Sequence, residues 1–195
     1  GGTISQTSGM LTAGTLDVNA SGSVALSSAG NFIGSLGAST VGGNLALATS
    51  TGLSQTGPLV VAGTSDFMSA GSLTLTDAQN SFGGAVRVNA LGGGVALRSS
   101  GDLNVASLGA AGEVSLVAGG TLTLPGTAID TGGNDLTLAS NGGALSVSQA
   151  LRGNNISLAA SGGMVVTAAV TAGQQLSLGP GADQNAPVHG NLPAG

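Results

Sequence analysis

The chain contains no cysteine, tryptophan, tyrosine or lysine, and only three phenylalanines among its 195 residues. Each absence removes a class of explanation. Without cysteine there are no disulfides and no thiolate metal sites, and a chain of this kind can cross an oxidising compartment unfolded without being cross-linked there. Three arginines (Arg87, Arg98 and Arg152) face eight carboxylates, for a formal charge of -5. With no basic stripe to neutralise phosphates, no nucleic-acid partner is expected. Hydrophobic stretches are everywhere broken by Gly and none approaches the roughly 20 apolar residues of a membrane span, so no membrane insertion is expected either. The opening GGTISQTSGM lacks the basic and apolar regions of a signal peptide, and the chain is expected to be part of something longer.

Scarcity of charge does not make the chain disordered. Hydrophobic residues are 41% of the sequence and charged residues 6%, the reverse of the balance that keeps a chain unfolded. With so few aromatics the interior must be assembled from Leu, Val, Ile and Ala, which suits many thin layers better than one thick core.

What is abundant is Gly, 37 residues, and a repeated apolar-x-apolar triplet. The triplet recurs as Val24/Leu26, Leu45/Leu47, Leu73/Leu75, Val95/Leu97, Val114/Leu116, Leu136/Leu138, Ile156/Leu158 and Leu176/Leu178, with steps of 19, 22, 20 and 20 residues from Val95 to Ile156 and on to Leu176. A second series passes through Leu103/Val105, Leu122/Leu124, Leu145/Val147 and Val165, and a weaker third through Leu108, Ile129, Leu151 and Val170. Alternation of period two puts both apolar residues of a triplet on one face of a strand. The intervening NGG, GGN and SGG clusters read as turns that tolerate positive φ, and such Gly density argues against helices.

Three strands and three turns in about twenty residues describe one coil of an all-β, parallel β-helix, a solenoid in which every strand pairs with its equivalent one coil away. The favoured hand of parallel crossovers predicts a right-handed winding. About eight or nine coils, each rising about 4.8 Å, make a rod roughly 40 Å long. One coil buries too few side chains to offset the ordering of its own backbone, so stacking is obligatory. The repeat segment is expected over residues 1–178. A longer period of 49 residues runs over about 1–101, where ISQTSGMLTAGTLDV (4–18) aligns with LSQTGPLVVAGTSDF (53–67) and SGSVALSSAGNF with AGSLTLTDAQNS, as if a two-coil unit had been duplicated. Residues 179–195 are rich in Pro and Gly and are read as a linker or partial cap.

The stretches TISQTSGMLTAGTLDV, VGGNLALATSTG, GSLTLTDAQNSFGGAVRV and NDLTLASNGGAL resemble the repeats of filamentous haemagglutinin-like exoproteins, the large adhesins of two-partner secretion in Gram-negative bacteria. The resemblance covers roughly residues 1–178. It implies a right-handed parallel β-helix, export, and display on or release from the cell surface. Neither the Asn-Pro motifs of that family's secretion domain nor an Arg-Gly-Asp tripeptide is present.

Candidate chemistry is sparse. Asp17, Asp66, Asp77, Asp102, Glu113, Asp130, Asp135 and Asp183 are the carboxylates. Asp130 and Asp135, flanking the turn TGGN, are the pair closest to what a glycosidase or a calcium site requires, against the alternative of solvated turn residues. Asp17 and Asp66 are equivalent in the long repeat. The lone His189 has no partner nearby, and there is no GxSxG element and no phosphate-binding loop leading into a helix. No cofactor is expected. Two regular features stand out. Asn134, Asn154 and Gln174, each two residues before a triplet, are predicted to stack as a hydrogen-bonded amide ladder. The middle positions of the triplets, Ala25, Ala46, Thr74, Ala96, Ser115, Thr137, Ser157 and Ser177, are all small and predict a flat, mildly polar face suited to protein or glycan contact, or less well to ice. Expected partners are adjacent repeats of the same chain, a host-cell or bacterial surface protein or glycan, and other copies stacked end to end. The function expected from this pattern is a non-enzymatic shaft segment of a secreted or surface adhesin. The alternatives are a binding module using the small-residue face, or a polysaccharide-active β-helix enzyme.

Overall fold

The computed structural model describes residues 2–180. Parallel ladders wind into a β-solenoid of about nine coils, with no helix among the described residues. Among the described residues no helix is long and apolar enough to cross a membrane. His189, Asp183 and the tail beyond Pro180 lie outside the described residues.

Each coil contributes strands to three faces. The first face stacks Ile4–Ser5, Val24–Leu26, Leu45–Thr49, Ser65–Ser69 and Val86–Ala90 in parallel register. The second runs from Thr12–Leu16 and Phe32–Leu36 through Leu73–Leu75, Val95–Ser99, Val114–Ala118 and Leu136–Ser140. The third begins with Asn19–Ala20, Ser39–Val41, Leu59–Val61 and Ser81–Phe82. It is taken up by Leu122–Thr123, Leu145–Val147 and Met164–Val166. Some later strands pass through a corner without a break. Leu103 and Asn104 pair forward with Leu122 and Thr123, whereas Leu108 and Ala110 of the same strand pair back with Val88 and Ala90. Leu151–Ala160 and Val170–Leu178 likewise serve the first face and then the second.

This assignment divides the triplet series. Val24/Leu26 and Leu45/Leu47 belong to the first face, while Leu73/Leu75 and all later members belong to the second. The 49-residue duplication explains the switch. Residues 4–52 hold seven strands and the next copy starts with an eighth, so on a three-faced rod each copy begins one face further round. Val24–Leu26 on the first face corresponds to Leu73–Leu75 on the second, and Ser39–Val41 on the third to Val88–Ala90 on the first. The duplicated unit is therefore two coils plus one face.

The core is one layer deep in every coil. Leu97, Leu116, Leu138 and Leu158 form a single inward column, each fully buried. Phe67 and Phe82 meet edge-to-face with ring centroids 6.4 Å apart, and Phe32 points outward and is 50% exposed. Where a strand ends and the chain must turn, the last inward residue is small. Ser99, Ala118, Ser140 and Ala160 are register partners and buried. The hydroxyls satisfy corner backbone groups, as when Ser140 Oγ donates to Gly120 O at 3.0 Å and accepts from Leu122 N at 3.1 Å.

The glycines have a different cause from the one their turn context suggests. Only Gly9, Gly132, Gly133 and Gly163 have positive φ among the described residues. The others are dictated mainly by the approach of one coil to the next. Gly119 N donates to Ser99 O at 2.8 Å, and a Cβ at Gly119 would lie 2.0 Å from Ser100 O. Gly83 repeats the arrangement, with a Cβ position 2.4 Å from Ala62 O. The corners thus continue the inter-coil ladder, and a side chain there would push the coils apart.

Gly119→Ala should therefore lower stability by about 1–3 kcal/mol in urea unfolding, the range for overpacking a close contact. Gly126, whose Cβ position has no neighbour within 4 Å, should tolerate Ala with a change within about 0.5 kcal/mol.

Candidate functional site

The register brings six of the predicted contact residues into one row. Thr74 pairs with Ala96, Ala96 with Ser115, Ser115 with Thr137, Thr137 with Ser157 and Ser157 with Ser177, all on the second face. Thr74 and Ser177 are exposed, and the four between them are half-buried by the neighbouring coils. A parallel row, Arg98, Val117, Ala139 and Ala159, lies two residues further along the same strands. Ala25 and Ala46 are not part of this surface. They are register partners on the first face, where the row continues into Asp66 and Arg87.

The carboxylates are dispersed. Asp130 Oδ1 accepts from Gly132 N within its own turn at 2.9 Å, and Asp130 sits opposite Arg152 on the adjacent coil. Asp135 turns to the next coil instead, where its Oδ1 accepts from Asn155 N at 3.1 Å and Asn155 Nδ2 at 2.9 Å. The shallow recess containing Asp130, Arg152 and Thr171 does not include Asp135. Asp102 Oδ1 accepts from Thr121 N at 2.8 Å, and Asp77 Oδ1 from Gln79 N at 2.8 Å. Asp17 precedes the third face, whereas its repeat equivalent Asp66 lies on a first-face strand opposite Arg87. No group of three or more potential metal-ligating side chains occurs among the described residues.

The predicted amide ladder is not formed. Asn154 N donates to Asn134 O at 2.8 Å, but the side chains diverge. Asn134 Nδ2 donates to Thr131 O at 2.6 Å in its own turn, Asn154 Nδ2 is directed to Asp135 Oδ1 at 3.4 Å, and Gln174 is exposed. Two causes combine. A charged oxygen is the stronger acceptor, and a register shift between Gly153 and Asn155 moves the third amide out of line.

Paired amides do occur, at positions that the pattern of triplets and charges passed over. Asn31, fully buried, exchanges two hydrogen bonds with Gln6 of the preceding coil: Gln6 Nε2 donates to Asn31 Oδ1 at 2.8 Å, and Asn31 Nδ2 donates to Gln6 Oε1 at 2.9 Å. Asn31 Oδ1 also accepts from Leu11 N at 2.9 Å, and its Nδ2 donates to Leu26 O at 3.1 Å, which satisfies the whole amide. The second copy reproduces the arrangement. Asn80 Nδ2 donates to Gln55 Oε1 at 3.0 Å, Gln55 Nε2 donates to Asn80 Oδ1, and Leu59 N donates to Asn80 Oδ1 at 2.8 Å. The backbone carbonyls of both asparagines reach the coil on the other side, accepting from Ser50 N and Ser100 N at 2.7 Å each. Each Asn thus joins three successive coils. The signal was present in the sequence as a Ser-Gln-Thr element followed by Asn 25 residues after the Gln, in both copies. A third Gln at a corner, Gln149, is buried without this partner. Its Oε1 accepts from Ser148 N at 3.2 Å, and its Nε2 has none.

These groups can fix coils in register and present a smooth, weakly polar surface. Charged side chains face each other across coils as isolated pairs, Asp66 opposite Arg87 and Asp130 opposite Arg152. A family described as repeats of unknown function, DUF5649, matches residues 1–35 and 33–89, the part in which the 49-residue duplication runs. No curated protein and no solved structure matches the chain.

Asn80→Ala should cost about 1–3 kcal/mol, because it leaves the half-buried Gln55 amide and the buried Leu59 N–H without acceptors. The coupling between Gln55→Leu and Asn80→Leu in a double-mutant cycle should be favourable to the double variant. Gln149→Met, which removes a buried donor with no acceptor, should raise the urea midpoint rather than lower it.

Proposed function

We propose that the chain is a rigid, non-enzymatic shaft segment of a large adhesin-like protein, secreted by or displayed on a bacterial cell, in the manner of the filamentous haemagglutinin-like exoproteins its repeats resemble. The observation that carries this reading is the coil-to-coil pairing: the second face pairs from Thr12 through the Leu53–Leu73 bridge to Leu178, the first from Ile4 to Ala110 and again from Ile129, the third from Asn19 to Phe82 and again from Leu103, and corners pair as well. Bending such a rod must stretch one ladder while compressing another, so stiffness follows from the pairing. Protease resistance follows too, since the corners that a protease would need as loops are hydrogen-bonded to their neighbours. The lack of lysine also suits a surface that meets tryptic enzymes.

A second reading is favoured by the register of Thr74, Ala96, Ser115, Thr137, Ser157 and Ser177. Rows of small side chains let a flat partner, protein or glycan, approach the sheet closely. The chain has no Trp or Tyr for stacking on sugar rings, which makes protein the better-matched partner.

Joining two copies of residues 1–178 should give, by electron microscopy, one straight rod lengthened by roughly 40 Å, at about 4.8 Å per coil. Two beads on a flexible joint, or substantial helix by circular dichroism, would reject the shaft. For the second reading, Thr137→Lys with Ser157→Lys should abolish any binding detected on glycan or surface-protein arrays; binding unchanged by those lysines rejects the face.

A further inference from the structure

Coil length is uneven in the middle of the rod. In the register of the second face, Leu73 pairs with Val95, Val95 with Val114 and Val114 with Leu136. The intervals are 22, 19 and 22 residues, so one short coil lies between two long ones. A short coil cannot match longer neighbours all the way round, and the mismatch has to fall on some face.

It falls on a different face on each side of the coil of residues 95–110. Toward the preceding coil the third face is lost: Ser81–Phe82 pairs only with Leu59–Val61, and Leu103 and Asn104 pair only forward, with Leu122 and Thr123. Ser100 N donates to Asn80 O before this break and Val86 pairs with Val105 after it. Val86 lies six residues beyond Asn80, but Val105 only five beyond Ser100, and the strands part around an open recess of about 440 Å³ bordered by Gly83, Gly84, Asp102 and Asn104. Toward the following coil the first face is lost. Leu108 and Ala110 pair back with Val88 and Ala90, whereas Ile129–Asp130 pairs only forward, with Leu151 and Arg152. Between the nearest fixed points, Asn104 with Thr123 and Val114 with Leu136, one coil runs ten residues and the other thirteen. The surplus emerges at Gly126, Thr127 and Ala128, all exposed. The core registers this second break: Leu108 and Ala110 are only partly buried, although their partners Val88 and Ala90 are buried.

At every other interface whose three faces are described, each face keeps at least one register pair. Both breaks flank one coil, and through this stretch only the second face is paired without interruption, from Leu73 by way of Val95, Val114 and Leu136 to Ile156. We infer that the coil of residues 95–110 is a directional hinge, with the second-face ladder as its spine and the opposite corner, between the third and first faces, as the side that opens. Opening that corner works against two ladders at an ordinary interface and against one at each of these. Opening the second face would have to pull apart a complete ladder. The spine keeps both halves in one rod and sets a straight rest state. A bend in the permitted direction makes the second face concave and brings the row Thr74, Ala96, Ser115, Thr137 and Ser157 to the inside of the curve. The inference rests on the ladders alone and requires neither reading of function.

Native-state hydrogen exchange of the full, unsubstituted chain tests it at amides that are already bonded. Leu103 N and Val95 N donate across the same interface, to Thr121 O at 2.9 Å and Glu113 O at 2.8 Å, and Leu145 N is the third-face counterpart of Leu103 N away from the hinge, donating to Gly163 O at 3.0 Å. Local opening at the hinge should leave Leu103 N about tenfold less protected than both Val95 N and Leu145 N. Equal protection of the three overturns the inference. Spin labels read the direction, and the absence of cysteine lets them be placed in pairs: Val60→Cys with Ser146→Cys on the third face, Thr74→Cys with Ser157→Cys on the second. Each pair spans four coil steps, about 19 Å at the ladder spacing. The third-face distance distribution should be about twice as broad as the second-face one and extend to longer distances. Equal widths, or a broader distribution on the second face, overturn the inference.

Discussion

Everything in this chain is subordinate to the distance between one coil and the next. A parallel ladder holds neighbouring strands about 4.8 Å apart, and a solenoid must hold that spacing through its corners as well as along its faces. The corners are where a Cβ intrudes, hence glycine at Gly83 and Gly119. They are also where an inward side chain runs out of room, hence the alternation of Ser99, Ala118, Ser140 and Ala160. Outward residues lie as close to their neighbours as the strands themselves. The small side chains of Ala96, Ser115, Thr137 and Ser157 are thus as much a product of spacing as a surface for contact.

That uniformity creates a difficulty which the hydrophobic pattern cannot solve. Leu-x-Leu strands are nearly interchangeable, so a ladder displaced by a whole coil would bury much the same side chains. The Gln6–Asn31 and Gln55–Asn80 pairs break the equivalence. A buried amide is tolerated only opposite its complement, and these complements occur only at defined coils. Polar groups in the interior here act as specification, and a misplaced coil would strand them. Gln149 shows the converse, a corner amide in a coil whose neighbour carries no Asn to meet it.

The fold was legible because its cause is periodic. Triplets such as Val114/Leu116 and Leu136/Leu138 declare both the inward direction and the length of the coil. Which face a triplet occupied was less legible, since Leu45/Leu47 and Leu73/Leu75 look alike and only the register separates them. The glycines misled because turn geometry and close approach call for the same residue. At the amides, reading by column selected Asn134, Asn154 and Gln174, aligned in sequence but separated by a bulge and a nearby carboxylate. The true pairs were offset by a coil and a quarter, a spacing that appears only when the two long repeats are compared with each other.

The one-face advance of the duplicated unit gives the rod a thread. Three successive units would bring a feature back to its starting azimuth after seven coils, a pitch of roughly 34 Å at the spacing of a parallel ladder. Anything written once into the unit, such as an Asn–Gln bracket or an exposed side chain, is thereby distributed around the axis. An array of three or more such units would have no preferred side: a partner arriving at any of the three faces would meet the same element within one pitch of its point of contact.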